Sequence, residues 1–159
     1  MKKLTLLLVL ATIVLSCGTP KTVRESKKVI KGYWNLDNIT YSEEGNFLIT
    51  IFGDTSKECF EGTSWRFIPN NNTGIYTVNN TDCPTGDRNF IFIIQEVDQS
   101  TGLYDFLLKP TNAKNKSDTN RGFRLHLVKL TDSKMRWEQT VSLEGKPFTI
   151  GMNFSKNNE

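Results

Sequence analysis

The most restrictive feature of this chain is a strict two-residue alternation near its C-terminus. Met135, Trp137, Gln139, Val141 and Leu143 fall on one face of an extended segment, and Arg136, Glu138, Thr140 and Ser142 fall on the other. Phe148, Ile150, Met152 and Phe154 then alternate with Thr149, Gly151, Asn153 and Ser155. Successive side chains of a strand point to opposite faces, so a period of two means a strand with one face buried. The two segments are separated by Glu144-Gly145-Lys146, a short glycine-containing turn, which makes them a β-hairpin.

Similar segments recur upstream. Phe123, Leu125 and Leu127 oppose Arg124 and His126; Tyr104, Phe106 and Leu108 oppose Leu103, Asp105 and Leu107; Trp65 and Phe67 flank Arg66. Clusters rich in Asn, Asp, Ser, Thr and Gly at residues 70–74, 98–102 and 131–134 mark the turns between them. The pattern predicts eight or nine strands, at 32–40, 46–52, 58–68, 74–79, 89–97, 103–109, 122–130, 134–143 and 147–154. The second and third are readable as one bent strand broken near Gly53-Asp54. No segment shows helical periodicity. Consecutive strands joined by short turns favour an antiparallel meander, and closing it into an up-and-down β-barrel of about eight strands removes the sheet edges. Phe90-Ile91-Phe92-Ile93-Ile94 is apolar on both faces, as expected of a strand between two layers or one lining an apolar cavity under an outer cover.

The N-terminus reads differently. Lys2 and Lys3 precede an apolar run from Leu4 to Leu15 that is interrupted only by threonines. A run of this length suits the core of an export signal and falls short of the ~18 residues of a membrane span. Val14-Leu15-Ser16-Cys17 follows and resembles the lipobox of bacterial lipoproteins. That resemblance implies a signal peptide over residues 1–16 and acylation of Cys17, whose chains would hold the protein on a membrane at about 0.8 kcal/mol per buried CH₂. Residues 17–31 then read as the lipidated N-terminus and a basic tether. Gly18, Thr19 and Pro20 disfavour regular structure, and Lys21, Arg24, Lys27, Lys28 and Lys31 face only Glu25. Residues 32–159 form the β domain.

The chain carries a formal net charge of +3. Setting aside Lys2, Lys3 and the tether leaves the domain slightly acidic, which removes the main electrostatic argument for binding nucleic acid. His126 is the single histidine, so a multi-histidine metal site is excluded, and no cofactor is implied. Export to an oxidising compartment, with Cys17 acylated, leaves Cys59 and Cys83 as the one available disulfide pair.

The domain opens with Lys31-Gly32-Tyr33-Trp34-Asn35-Leu36. Gly32-x-Trp34 looks like the G-x-W that starts the first strand of lipocalins, where the Trp plugs the closed end of the barrel. The whole domain, with its Leu-Ser-Cys start and a cysteine pair around Cys59 to Phe67, resembles the lipocalin-like lipoproteins of Bacteroidetes-type bacteria. The Thr-Asp-Tyr-like turn of lipocalins is missing, since Thr81-Asp82 runs into Cys83. The late arginine that covers the Trp in that family has two candidates here, Arg136 and Arg124. The resemblance gives Gly32 and Trp34 a structural, barrel-closing role. It also implies the binding or carriage of a small hydrophobic molecule at the cell envelope. The candidate cavity lining is Phe67, Phe90, Phe92, Phe106, Phe123, Trp137 and Phe148. Acidic residues after the lipidated cysteine mark surface export in some of these lipoproteins. Gly18-Thr19-Pro20-Lys21 points instead to the outer membrane, facing the periplasm.

An alternative is a non-catalytic envelope interaction module or inhibitor, since META-type β domains share a Gly-x-Trp-x-Leu start; the polar stretch from Thr111 to Arg121 would suit a partner. No enzyme is expected. A nucleophile elbow, HExxH, P-loop and dinucleotide loop are all missing. His126, on a strand between Leu125 and Leu127, is expected to face outward. Glu43-Glu44 are expected in a solvated turn beside Gly45.

Overall fold

A computed structural model describes residues 21–98 and 100–157. The expected signal segment and Cys17 lie outside the described residues. A helix, α1 (Lys21–Ile30), leads into β1 (Gly32–Tyr41). A small hairpin, β2 (Thr50–Ile51) and β3 (Thr55–Ser56), and a helical turn, α2 (Lys57–Phe60), follow. The remaining strands are β4 (Ser64–Ile68), β5 (Thr73–Val78), β6 (Gly86–Val97), β7 (Tyr104–Thr111), β8 (Phe123–Leu130), β9 (Lys134–Leu143) and β10 (Lys146–Asn157).

β4 to β10 form an antiparallel meander, and β1 closes it by pairing with β4 on one side and β10 on the other. The result is the expected closed eight-stranded antiparallel barrel. Closure leaves the meander without a free edge. The C-terminal hairpin has the register that the alternation demands, with Met135, Trp137, Phe148, Ile150, Met152 and Phe154 all buried. Glu144 and Gly145 both have positive φ (51° and 81°), the geometry of a two-residue hairpin turn that matches the twist of its strands. The doubly apolar segment of β6 divides by parity. Phe90 and Phe92 point into the barrel, while Ile93 points out, is 51% exposed, and pairs with Leu107 of β7.

Two segments differ from expectation. Residues 46–52 add no barrel strand, and of 58–68 only Ser64–Ile68, which is β4, enters the barrel. Phe52 and Gly53 take positive φ (51° and 69°) and fold the chain into the β2–β3 hairpin, and Gly62 (φ 83°) ends α2 before β4 begins. The excursion from 42 to 63 therefore stands outside the meander. The second difference is in the tether. Residues 21–30 are helical because Val23, Ser26 and Ile30, spaced as neighbours on one helical face, are buried against the barrel. The lysines and arginine that mask this stripe in the sequence lie on the remaining faces.

The register fixes two ends. The proximal end holds α1, the start of β1, the β4–β5, β6–β7 and β8–β9 turns, and the end of β10. The distal end holds the 42–63 excursion and the β5–β6, β7–β8 and β9–β10 connections.

Candidate functional site

Both ends of the barrel are covered. At the proximal end Gly32, with φ 109°, lets the chain turn from α1 into β1. Trp34 is fully buried there, and its indole nitrogen donates 2.8 Å to the Ile30 carbonyl, tying strand to helix. The cation over its ring is neither Arg136 nor Arg124. It is Lys156, whose ammonium lies 5.2 Å from the ring centroid and donates 2.7 Å to the Val29 carbonyl. The cause is closure, which places Lys156 directly across from Trp34 in the β1–β10 ladder. Arg136 lies outside the barrel with Glu138 and Asn153, at 3.0 and 2.9 Å. Arg124 pairs with Asp105 at 3.2 Å, and His126, half exposed, lies 2.6 Å from the same carboxylate through Nδ1. His126 therefore faces outward, as alternation with Leu125 and Leu127 requires.

At the distal end the 42–63 excursion lies over the mouth. Phe52 and Phe60 drop their rings onto the interior, with centroids 5.3 Å from Phe123 and 5.2 Å from Tyr76 respectively. Asp54 accepts a 2.9 Å hydrogen bond from the Tyr76 hydroxyl and pairs with Arg88 at 3.2 Å. Burial, reinforced by the Asp54 charge and hydrogen bond, raises the Tyr76 phenol above its ordinary pKa. Cys59 is bonded to Cys83 in the β5–β6 connection, which is the expected disulfide. The Glu61 carboxylate accepts from the Ile39 amide at 2.7 Å, and Leu36 exchanges backbone bonds with Gly62 and Thr63. The half of the excursion from 50 to 63 is thus fastened at several points.

The half from 43 to 49 is not fastened in this way. Ser42 bonds Thr149, and beyond it Phe47 is the main hold, its ring 5.6 Å from Tyr41 and 4.8 Å from Phe148. Leu48 is fully exposed. Between this flap and the β9–β10 turn lies a cleft of about 460 Å³, lined by Phe47, Leu48, Ile49 and Leu143 and by Glu43, Asn46, Glu144 and Lys146. Apolar walls with a few charged groups suit a small amphipathic molecule.

The seven candidate lining residues are all buried, but they fall into two groups. Phe67, Phe90, Phe92, Phe106 and Trp137 form a connected column of rings inside the barrel, with neighbouring centroids 4.8–6.5 Å apart. Phe123 and Phe148 sit apart at the distal mouth, under Phe52 and Phe47. Trp65, missing from that lining, is a hub of the column, stacked on Tyr76 at 4.6 Å and edge-on to Trp137 at 5.4 Å. Its alternation with Phe67 across Arg66 is the signal that identifies it as inward-facing. Phe47 and Phe52 had no such signal, because their inward position depends on the loop's path.

Fold and site together define a closed eight-stranded antiparallel meander barrel with covered ends and a half-apolar cleft at the distal mouth. No family model matches the chain, and no curated protein matches it. Among solved structures it is similar to a lipocalin-like protein from Bacteroides uniformis, with 12% identity over 81% of this chain and 99% of that one and a TM-score of 0.49.

Proposed function

We propose that this protein is a lipid-anchored, lipocalin-like binding protein of the cell envelope, without catalytic activity, that takes up a small hydrophobic molecule at its distal mouth. The observation that carries this reading is the cleft under the 43–49 flap. A fully exposed leucine beside Phe47, itself seated on Phe148, presents an apolar surface that a folded chain has reason to cover. Lifting Phe47 would expose Phe148 and Tyr41 at the mouth, so the flap is the gate in this reading. Anchoring through Cys17 sets the mouth in an envelope where apolar molecules are abundant, on the periplasmic side of the outer membrane.

The test uses the chain from residue 18 onward, free of acyl groups, with a solvatochromic naphthylamine probe and mass spectrometry of solvent extracts. Saturable binding of one probe per chain is expected, weakened about tenfold by Leu48→Asp, in line with the 1.5–3 kcal/mol of burying a leucine. Absence of both probe binding and any co-purified apolar molecule overturns the reading. Protease treatment of intact cells tests the periplasmic placement, with protection expected.

One observation favours the alternative of a protein-interaction module. The middle of the barrel is occupied by its own rings around Trp65. Crosslinking in intact cells separates the two, since a single protein adduct through the flap would displace the carrier reading.

A further inference from the structure

We infer that the basic face of α1 is a docking surface for anionic phospholipid headgroups, and that it stands the barrel on the membrane with its distal mouth pointing away. This rests on the reading of Cys17 as the lipid-bearing residue.

Arg24, Lys27, Lys28 and Lys31 recur at helical spacing beside the buried Val23–Ser26–Ile30 stripe. They share a cleft of about 310 Å³ whose other lining residues are Pro69 and Asn70 of the β4–β5 turn, with no acidic group among them. Lys27 is held in place by a 2.8 Å bond to Asn72, which builds the cleft wall. Lys21, Arg24, Lys28 and Lys31 are exposed. The one acid on the helix, Glu25, meets Lys28 at 3.0 Å and leaves the other cations unmatched within α1. Asp98 and Asp132 sit on other loops of this end and do not line the cleft.

The occupant is set by position. Cys17 precedes Lys21 by four residues, so an acylated cysteine lies within roughly 14 Å of the helix. At that distance, the basic face of α1 and the headgroups are neighbours whenever the anchor is inserted. An anionic leaflet attracts such residues within a Debye length, at about fivefold in binding per charge. The buried stripe packs the helix against the barrel across the proximal end, so docking this face orients the whole barrel. The distal mouth then stands roughly 25 Å from the bilayer, the tilted length of β1.

The test uses the full-length protein purified in detergent from the cells that express it and added to preformed vesicles of phosphatidylcholine, alone or with about 30 mol % phosphatidylglycerol. Flotation with the neutral vesicles reports the anchor. Lysine acylation followed by mass spectrometry reports docking. Lys21, Lys28 and Lys31 are expected to react at least about fivefold more slowly on the anionic vesicles, with Lys114 and Lys116 of the distal end unchanged and the difference abolished by high salt. The variant with Lys21→Gln, Arg24→Gln, Lys28→Gln and Lys31→Gln, all exposed positions, should still float, and Lys27, the lysine it keeps on α1, should label equally on the two kinds of vesicle. Flotation with equal labelling on both vesicles overturns the docking surface and leaves the anchor standing. Flotation with neither overturns the anchor and this inference with it. Flotation with the anionic vesicles alone supports the surface and overturns the anchor.

Discussion

Lys156 stands 5.2 Å from the centroid of the Trp34 ring and donates its ammonium to the carbonyl of Val29, in the last turn of α1. One side chain thus joins the last strand, the first strand and the helix. A cation is favoured at a helix C-terminus and over an indole face. Lys156→Met keeps the stem and loses both interactions. It should cost about 1–2 kcal/mol, seen as a lower urea midpoint at unchanged slope. An unchanged midpoint would show that the contact contributes nothing.

Two of the barrel's fully buried tryptophans differ in one hydrogen bond. The Trp65 indole donates to Thr63 Oγ1 at 2.8 Å, and that hydroxyl donates on to the Phe60 carbonyl at 2.7 Å. The Trp137 nitrogen finds no hydrogen-bond partner among the described residues, and its ring is set edge-on to Trp65 and Phe67. Replacement by Phe removes similar volume at each site. Trp65→Phe should therefore cost about 1–2 kcal/mol more than Trp137→Phe, by parallel denaturation curves. Equal costs would contradict this.

Gly74 and Gly151 are both crowded, with opposite consequences. A Cβ on Gly74 would fall on the Phe90 ring and 2.8 Å from the Arg66 carbonyl. That ring is wedged between Trp65 and Phe67, at 5.4 and 5.5 Å, and has no free direction. A Cβ on Gly151 would meet the Arg136 guanidinium and the Thr40 hydroxyl, both mobile ends on the outer face. Gly74→Ala should cost about 2–3 kcal/mol and Gly151→Ala less than about 1 kcal/mol. Thermal unfolding of the two proteins checks the order.

Burial raises the phenols of Tyr76 and Tyr104 above the ordinary value of 10.0. A raised folded-state pKa means that the folded protein holds these protons more tightly than the unfolded chain does. Their contribution is intact below pH 10 and is lost as the pH climbs above it. The melting temperature should therefore fall above about pH 10, and Tyr76→Phe should flatten that fall while lowering stability at neutral pH through loss of the Asp54 hydrogen bond. A melting profile unchanged by both Tyr76→Phe and Tyr104→Phe would refute the assignment.

Cys59 and Cys83 close a loop with a sequence separation of 24 and pin the fastened half of the distal cover to the β5–β6 connection. Reduction should lower stability by about 3 kcal/mol on the chain-entropy model. Hydrogen exchange should quicken first in residues 50–63 if this bond is what holds the cover down.

Much of the barrel is legible before folding. Alternation assigns a face to nearly every residue from Phe123 to Phe154, because the pleat itself dictates which side each takes. The same rule sends His126 outward, and sorts Phe90 and Phe92 from Ile93 once the inner face is known. The helix α1 is harder to read. Its stripe holds only Val23, Ser26 and Ile30 among four cations, and a stripe so thin is an amphipathic signal only if there is something to bury it against.

What the sequence by itself determined is local: the strand periods, the hairpin turn at Glu144-Gly145, and the cysteine pair left for one disulfide. What only the tertiary structure decided is long-range. Neither the choice of Lys156 over Arg124 or Arg136, nor the descent of Phe47 and Phe52 onto the mouth, has a periodic signature. The first follows from β10 pairing with β1 across more than a hundred residues, and the second from a loop whose path is set by Gly53, Gly62 and the Cys59–Cys83 bond on the Phe52 side and by packing on Tyr41 and Phe148 on the Phe47 side. Periodicity specifies the face a side chain takes within its own strand. Which strand lies opposite is settled by closure, where removing both free edges of the meander decides the partner.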